Sequence, residues 1–307
     1  KEGTWHLNNS ATPILINRSG ITLRGQGKNK TTLSLTEHIS HGLIRISVYR
    51  DDQAFINAVN SEPKSCGALE PQADKLCNIS NVVIEGIHLH GFDRKFSSHF
   101  DNIAIEGLLF KNAKFSDLWI DNIGLGCELW KSVNSTVQYS LMEQMRVFWD
   151  FGPFCGYTIH HNIFRNGGNG YVVKYNSGCD HNIFTNNIIE HVDGWALEVY
   201  GTSCHNTITN NIIRYVKRGH GIWIWGWDNL AKGNIIHDCG SDGIHIWDGW
   251  CHADPSKNIN NITNNLIYNN AKNGIMMHVG GNKYYTRTAN IINNVIYGNG
   301  KDGITCD

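Results

Sequence analysis

Apolar and polar residues alternate along the second half of the chain in short runs that keep returning in the same form. Six segments share one signature: HNIFRN at 161–166, NNIIEH at 186–191, NNIIRY at 210–215, GNIIHD at 233–238, NNLIYN at 264–269 and NNVIYG at 293–298. A few residues after each comes a glycine and a second alternating run: Gly170-YVVKY, Gly194-WALEVY, Gly221-IWIWGW, Gly243-IHIWDG, Gly274-IMMHV and Gly303-ITCD. These glycines are spaced 24, 27, 22, 31 and 29 residues apart. Period-two alternation broken by Gly and Asn predicts two or three short strands per repeat. No window shows a sustained helical period.

An all-β repeat of this length is too short for a propeller blade and lacks the leucine-rich pattern. It suits one coil of a parallel β-helix, in which stacked coils bury a continuous core. An Asn at the same place in each coil suits a left-handed turn, and its amides suit a ladder from coil to coil. The first half follows more loosely, in ITLRGQG at 21–27, NVVIEGIHLHG at 81–91 and NIAIEGLLFKNAKFSDLWID at 102–121. The expectation is an all-β, single-stranded right-handed parallel β-helix with coils of about 22–31 residues. It forms one domain over 1–307, with an inserted loop around 51–77. Cys66 and Cys77 bracket a Pro-containing stretch of that loop and suggest a local closure.

Side-chain alternation then sorts the strand after each glycine. The first and third positions read inward: Val173, Leu197, Ile222, Ile224, Ile244, Ile246, Ile275 and Met277. The second and fourth read outward: Val172/Lys174, Ala196/Glu198, Trp223/Trp225, His245/Trp247 and Met276/His278, with Phe148/Asp150 by extension. Trp223, Trp225 and Trp227 thus share one side of a strand, with Trp247 beside Trp225 one coil on, about 4.8 Å away. An uncovered Trp cluster marks an interaction surface, and flat rings suit sugar C–H faces. Beside it runs a charged ladder, Asp150, Lys174 and Glu198. Its two carboxylates are two coils apart, roughly 9–10 Å at the strand spacing, near the upper end of the separation in inverting glycosidases. Before the repeat glycine lies a second ladder: Asn169, Asp193, His220, Asp242, Asn273 and Asp302. It places His220 between Asp193 and Asp242, a setting that raises an imidazole pKa.

Composition narrows the function. The chain has 307 residues, 26 Lys+Arg against 27 Asp+Glu, and charged residues at 17%. A near-neutral chain lacks the basic surface that a nucleic-acid partner wants. No apolar run reaches the roughly 18 residues of a membrane span. Asn fills the polar quota at 37 residues. Six Asn-x-Ser/Thr sequons, at Asn8, Asn17, Asn29, Asn78, Asn134 and Asn261, together with nine cysteines and no C-x-x-C, suggest a secreted, disulfide-bearing glycoprotein. No cofactor is expected. Calcium wants clustered oxygens, which Lys174 between Asp150 and Glu198 disfavours. His88/His90 and His160/His161 are metal candidates without a placed third ligand.

On these repeats the chain resembles the right-handed parallel β-helix superfamily of pectate lyases, polygalacturonases and related carbohydrate-active proteins. Gly219-His220-Gly221 looks like the Gly-His-Gly of polygalacturonase-type hydrolases. Of that family's other residues only Asp193 has a match, as Val192-Asp193 and Gly168-Asn169 stand where its aspartates would be. The resemblance implies a polysaccharide or oligosaccharide partner and, first, glycoside hydrolysis. Asp193 would then be general acid, Glu198 the water-activating base and His220 an orienting group beside Asp242. Trp223, Trp225, Trp227, Trp247, Tyr200, Asp150 and His278 would bind substrate. Lyase or epimerase chemistry on a uronate is the alternative, with Lys174, Tyr175, Tyr200 or His245 as base. A non-catalytic glycan-binding or cell-envelope protein is the third. The outer face is rich in Trp and poor in Arg and Lys, which favours a neutral or weakly charged glycan.

Overall fold

The computed structural model describes residues 1–8, 10, 12–49, 54, 57, 77–93, 102–152, 154–167, 170–247, 259–278 and 288–307. The loop expected around 51–77 falls almost wholly outside the described residues. Cys77, at its end, is buried, and Cys66, with the closure expected between them, lies outside the described residues. Among the described residues three long parallel sheets have 11, 10 and 11 strands, and a fourth has 4. The chain visits the long sheets in turn. Thr158–His160 lies in the second, Ile163–Gly167 in the first and Tyr171–Tyr175 in the third, before Ile183–Thr185 returns to the second. That is the stacked-coil architecture the repeat predicts.

The core follows from alternation. Phe164, Ile189, Ile213, Ile236 and Ile267 point inward from the first sheet and are fully buried. The recurrent polar pair before them divides its labour. The first member turns the corner in the left-handed region, with φ of 55° at His161, 55° at Asn186, 56° at Asn210 and 55° at Asn264, where Asn is among the best-tolerated non-glycine residues. The second is buried and forms a ladder. The Asn211 side chain donates to the Phe184 carbonyl at 2.9 Å and accepts from the Asn187 backbone at 2.9 Å. It also donates to Asn234 Oδ1 at 3.0 Å. An unpaired buried polar group costs about 1–3 kcal/mol. Asn211→Ala is therefore expected to destabilise the protein by about 2–3 kcal/mol, seen as a fall of several degrees in Tm. Asn210→Gly, at a corner glycine tolerates, should change Tm little. Equal melting of wild type and Asn211→Ala would sink the ladder argument.

The third sheet departs from the expected register. A Cβ added to Gly194 would lie 1.5 Å from the Gly170 carbonyl oxygen, and one on Gly219 2.6 Å from that of Gly194. Gly221, Gly243 and Gly274 form a separate stack, each facing the carbonyl of the next. There are thus two glycine ladders two residues apart, and Gly221 does not continue the series of Gly170 and Gly194. Val172 and Ala196 also turn inward, at 0% exposure. The ladder pairs Tyr171 with Trp195 and Val173 with Leu197, stepping over them. Phe148 is core as well.

Candidate functional site

The third sheet stacks one column of side chains between two core columns. In order it runs Arg45, Glu106, Glu128, Asp150, Lys174, Glu198, Trp223, His245 and Met276, each paired with the next. Each alternates with core residues such as Trp149 and Phe151. Even so, Arg45, Glu106, Glu128, Asp150 and Glu198 are all buried. Four carboxylates in such a column need partners. Glu106 is hydrogen-bonded by Arg45, and Glu128 by the Trp130 indole at 2.9 Å. Asp150 accepts from the Tyr171 hydroxyl at 2.9 Å and from the Asn176 amide.

Glu198 is the exception. Its nearest cation, Lys174 Nζ, stands 3.8 Å away. That ammonium also lies over the rings of Tyr171, at 4.7 Å, and Tyr200, at 4.5 Å. Burial pushes the Glu198 carboxyl up to about 7, against a downward pull from Lys174 and with a further push from Asp150. The Tyr171 hydroxyl is held protonated by burial and by Asp150, so it is not a base.

Beyond Glu198 the face becomes aromatic. Trp223 packs on Trp195 at 5.4 Å and Trp225 at 5.1 Å. Trp225 packs on Tyr200 at 5.0 Å and Trp247 at 5.6 Å, and His278 stacks on Trp247 at 4.2 Å. Against this cluster stands a triad. Asp242 Oδ2 lies 2.9 Å from His245 Nδ1 and 3.2 Å from His220 Nδ1. Asp242 Oδ1 accepts both N–H groups of Asn273 at 2.9 Å. Burial would raise the Asp242 carboxyl, but the hydrogen bonds from His220, His245 and Asn273 hold it well below the carboxylate range. His245 directs its Nδ1 at Asp242, and among the described residues its Nε2 is buried without a hydrogen-bond partner.

The register moves several expected site residues. Asp193 is not beside His220. It aligns with Arg218, whose guanidinium lies 3.0 Å from its carboxylate, with Lys217 Nζ at 3.5 Å. The physical reason is the glycine step: Gly219, not Gly221, stacks on Gly194. His220 consequently has one aspartate neighbour, Asp242. Its pKa is lowered by burial, which that hydrogen bond only partly offsets, rather than raised. Trp227 lies past the end of Ile222–Ile224, on the bend toward Leu230–Lys232. Tyr175 points inward at 0% exposure, packed on Phe151. Lys174, Glu198, Asp150, Tyr200, Trp223, Trp225, Trp247, His245, His220, Asp242 and His278 do come together on one face. Sequence reasoning missed Arg45, Glu106, Glu128, Tyr171 and Trp195. The available signal was a charge flanked by apolar residues, in LIRI at 43–46, IAIEG at 103–107 and GCELW at 126–130.

Among the described residues two groups have metal-ligand composition: His220, Asp242 and His245, and, on the first sheet, His88, His90 and Asp121. In the same residues no helix is long and apolar enough to cross a membrane.

A family model described as the right-handed beta helix region matches residues 154–307. Among solved structures the chain is similar to the A-module of mannuronan C-5 epimerase AlgE6 from Azotobacter vinelandii. Identity is 13%, coverage 100% of this chain and 89% of that one, and the TM-score 0.63. It is also similar to DFA-IIIase from Arthrobacter chlorophenolicus A6, solved with DFA-III, at 12% identity, 99% and 72% coverage and a TM-score of 0.53. The Dettilon tailspike protein aligns at 11% identity over 96% of this chain and 62% of its own, with a TM-score of 0.54. At such identities the likeness is one of fold. No curated protein sequence matches the chain.

Proposed function

Because the chain belongs to the right-handed β-helix family, we propose, from the chemistry of its third sheet, that it hydrolyses a neutral or weakly charged polysaccharide outside the cell. The observation that carries this reading is Glu198, a carboxyl raised to about 7 by burial beside an aromatic platform. A glycosidic oxygen leaves only if it is protonated, and a carboxyl still protonated near neutrality supplies that proton. Asp150, kept as an acceptor by Tyr171 and Asn176, is the complementary carboxylate. It lies two strands away, about 9.6 Å at the strand spacing. That distance between strands is close to the upper end of the carboxyl separations of inverting enzymes, which leave room for a water between base and sugar. The C1–O bond breaks as Glu198 gives its proton to the leaving oxygen, while water adds to C1 and passes a proton to Asp150. Four column carboxylates against Arg45 and Lys174 disfavour a polyanionic chain, which supports a neutral substrate.

His245 supports a second reading. An imidazole oriented by Asp242 with an unbonded Nε2 has the form of a base for abstraction at C5 of a uronate, as a lyase or epimerase requires. The products separate the readings on a glycan panel. New reducing ends alone mean hydrolysis, and absorbance near 235 nm from an unsaturated end means lyase action. Incorporation of solvent deuterium without cleavage means epimerisation. Binding without any of these would leave a glycan-binding protein and sink both catalytic readings.

The aromatic cluster is the proposed substrate platform. Trp225→Ala and Trp247→Ala are each expected to weaken glycan binding about fivefold or more, since an aromatic contact contributes about 1 kcal/mol. Tm should change little, because both rings are only half-buried. A sharp fall in Tm with binding intact would make them covered core instead.

A further inference from the structure

We propose that His88, His90 and Asp121 form a binding site for one divalent transition-metal ion of the zinc class, on the first sheet and separate from the third-sheet site. His88–His90 and Trp119–Asp121 are neighbouring parallel strands, pairing His88 with Trp119 and His90 with Asp121. Two outward histidines on one strand thus meet an aspartate one coil on. Sequence spacing cannot show this, because 31 residues separate His90 from Asp121.

The geometry is that of a chelate. His88 Nε2 lies 2.9 Å and His90 Nδ1 2.6 Å from the same oxygen, Asp121 Oδ1. Two imidazole nitrogens converging on one carboxylate oxygen form one face of a coordination polyhedron. Zinc–nitrogen and zinc–oxygen bonds of about 2.0–2.1 Å place two ligand atoms of a tetrahedron roughly 3.3 Å apart. Opening each contact by less than about 1 Å therefore admits the ion. Two imidazoles and one carboxylate suit zinc and its neighbours over calcium or magnesium, and the fourth position stays open to water.

The surroundings hold the ligands. The His88 ring lies flat on Trp119, with centroids 4.0 Å apart and planes 7° apart. His88 Nδ1 is 3.4 Å from Thr32 Oγ1 on the preceding coil, an acceptor for the proton that a metal-bound ring carries on its other nitrogen. Access is open, since the His90 side chain is 38% exposed. The His220–Asp242–His245 group differs on each point. There the Asp242 carboxylate already meets His220, His245 and Asn273, and all three residues of the group are buried. An ion at His88, His90 and Asp121 would pin two coils together and stabilise the folded state by mass action.

The test uses the untagged protein and cobalt(II), then zinc(II). Cobalt is expected to bind at one equivalent with visible d–d absorption that zinc displaces, and zinc should raise Tm. His90→Ala and Asp121→Asn should each weaken binding on the order of a hundredfold or more, beyond the tenfold to hundredfold typical of an outer-shell loss. His245→Gln should leave that equivalent in place. The exposed His90 position keeps the test usable if Asp121→Asn folds poorly. The proposal is overturned if wild type shows no saturable equivalent. It is equally overturned if His90→Ala binds cobalt like wild type, or if His245→Gln abolishes the binding.

Discussion

Glu198→Gln is expected to lower the rate of glycosidic cleavage by about a hundredfold or more, the usual size of a general-acid contribution. The amide keeps the shape and hydrogen-bonding capacity of the carboxyl but has no acidic proton to give. The pH profile makes the assignment specific. A general acid must be protonated, so activity should fall as pH rises through about 7, the value to which burial raises Glu198. Lys174 pulls that pKa down, so Lys174→Met should move the alkaline limb to higher pH. Folding is coupled to the same shift. A carboxyl whose pKa is raised in the folded state favours folding at low pH, and that contribution is lost as pH climbs from about 4.5 toward about 7. Stability should therefore decline across that window in wild type and decline less in Glu198→Gln. Full activity in Glu198→Gln would remove the hydrolase assignment and leave His245 as the candidate base.

The largest effect on stability is expected from Arg45→Met. Arg45 and Glu106 are each 1% exposed and hydrogen-bonded to one another. Removing the cation leaves a carboxylate in the interior, a change that costs about 3–5 kcal/mol. Burial already raises the Glu106 pKa, with Arg45 pulling it back, so the variant can neutralise Glu106 by taking up a proton. Its deficit should then be smaller at pH 5 than at pH 8. Arg45→Met combined with Glu106→Leu should recover most of the loss, because no buried charge remains. Denaturant unfolding of wild type and the two variants decides the matter. A double variant no more stable than the single one would mean that packing, not charge, sets the cost.

Much of this molecule is legible in its repeats. The HNI and NNI segments carry both the left-handed corner and the buried amide, so chain direction, coil length and core follow from local pattern alone. The pairing of Asp150, Lys174 and Glu198, and that of Trp225 with Trp247, follows the same alternation. The errors in which residues are neighbours have one source. Gly194-Trp195 and Gly221-Ile222 look alike in sequence, yet Gly219 stacks on Gly194. A two-residue slip preserves which side chains face out, since the strand period is two. It changes which of them are neighbours, and so it moved Asp193 away from His220.

The sequence by itself determined the β-helix, most core positions and the existence of an aromatic face, because each depends on residues near one another along the chain; it did not show the inward turn of Val172, Ala196 and Phe148. Only the tertiary structure decided the register in which one coil lies against the next. That stacking put Glu198 next to Trp223, drew Arg45 and Glu106 into the same column, and brought Asp121 to His88 and His90. Those contacts join residues 25, 61 and 33 or 31 positions apart, respectively. Nothing local encodes them, because the number of residues in each connecting loop, rather than the pattern within a strand, sets the register between coils.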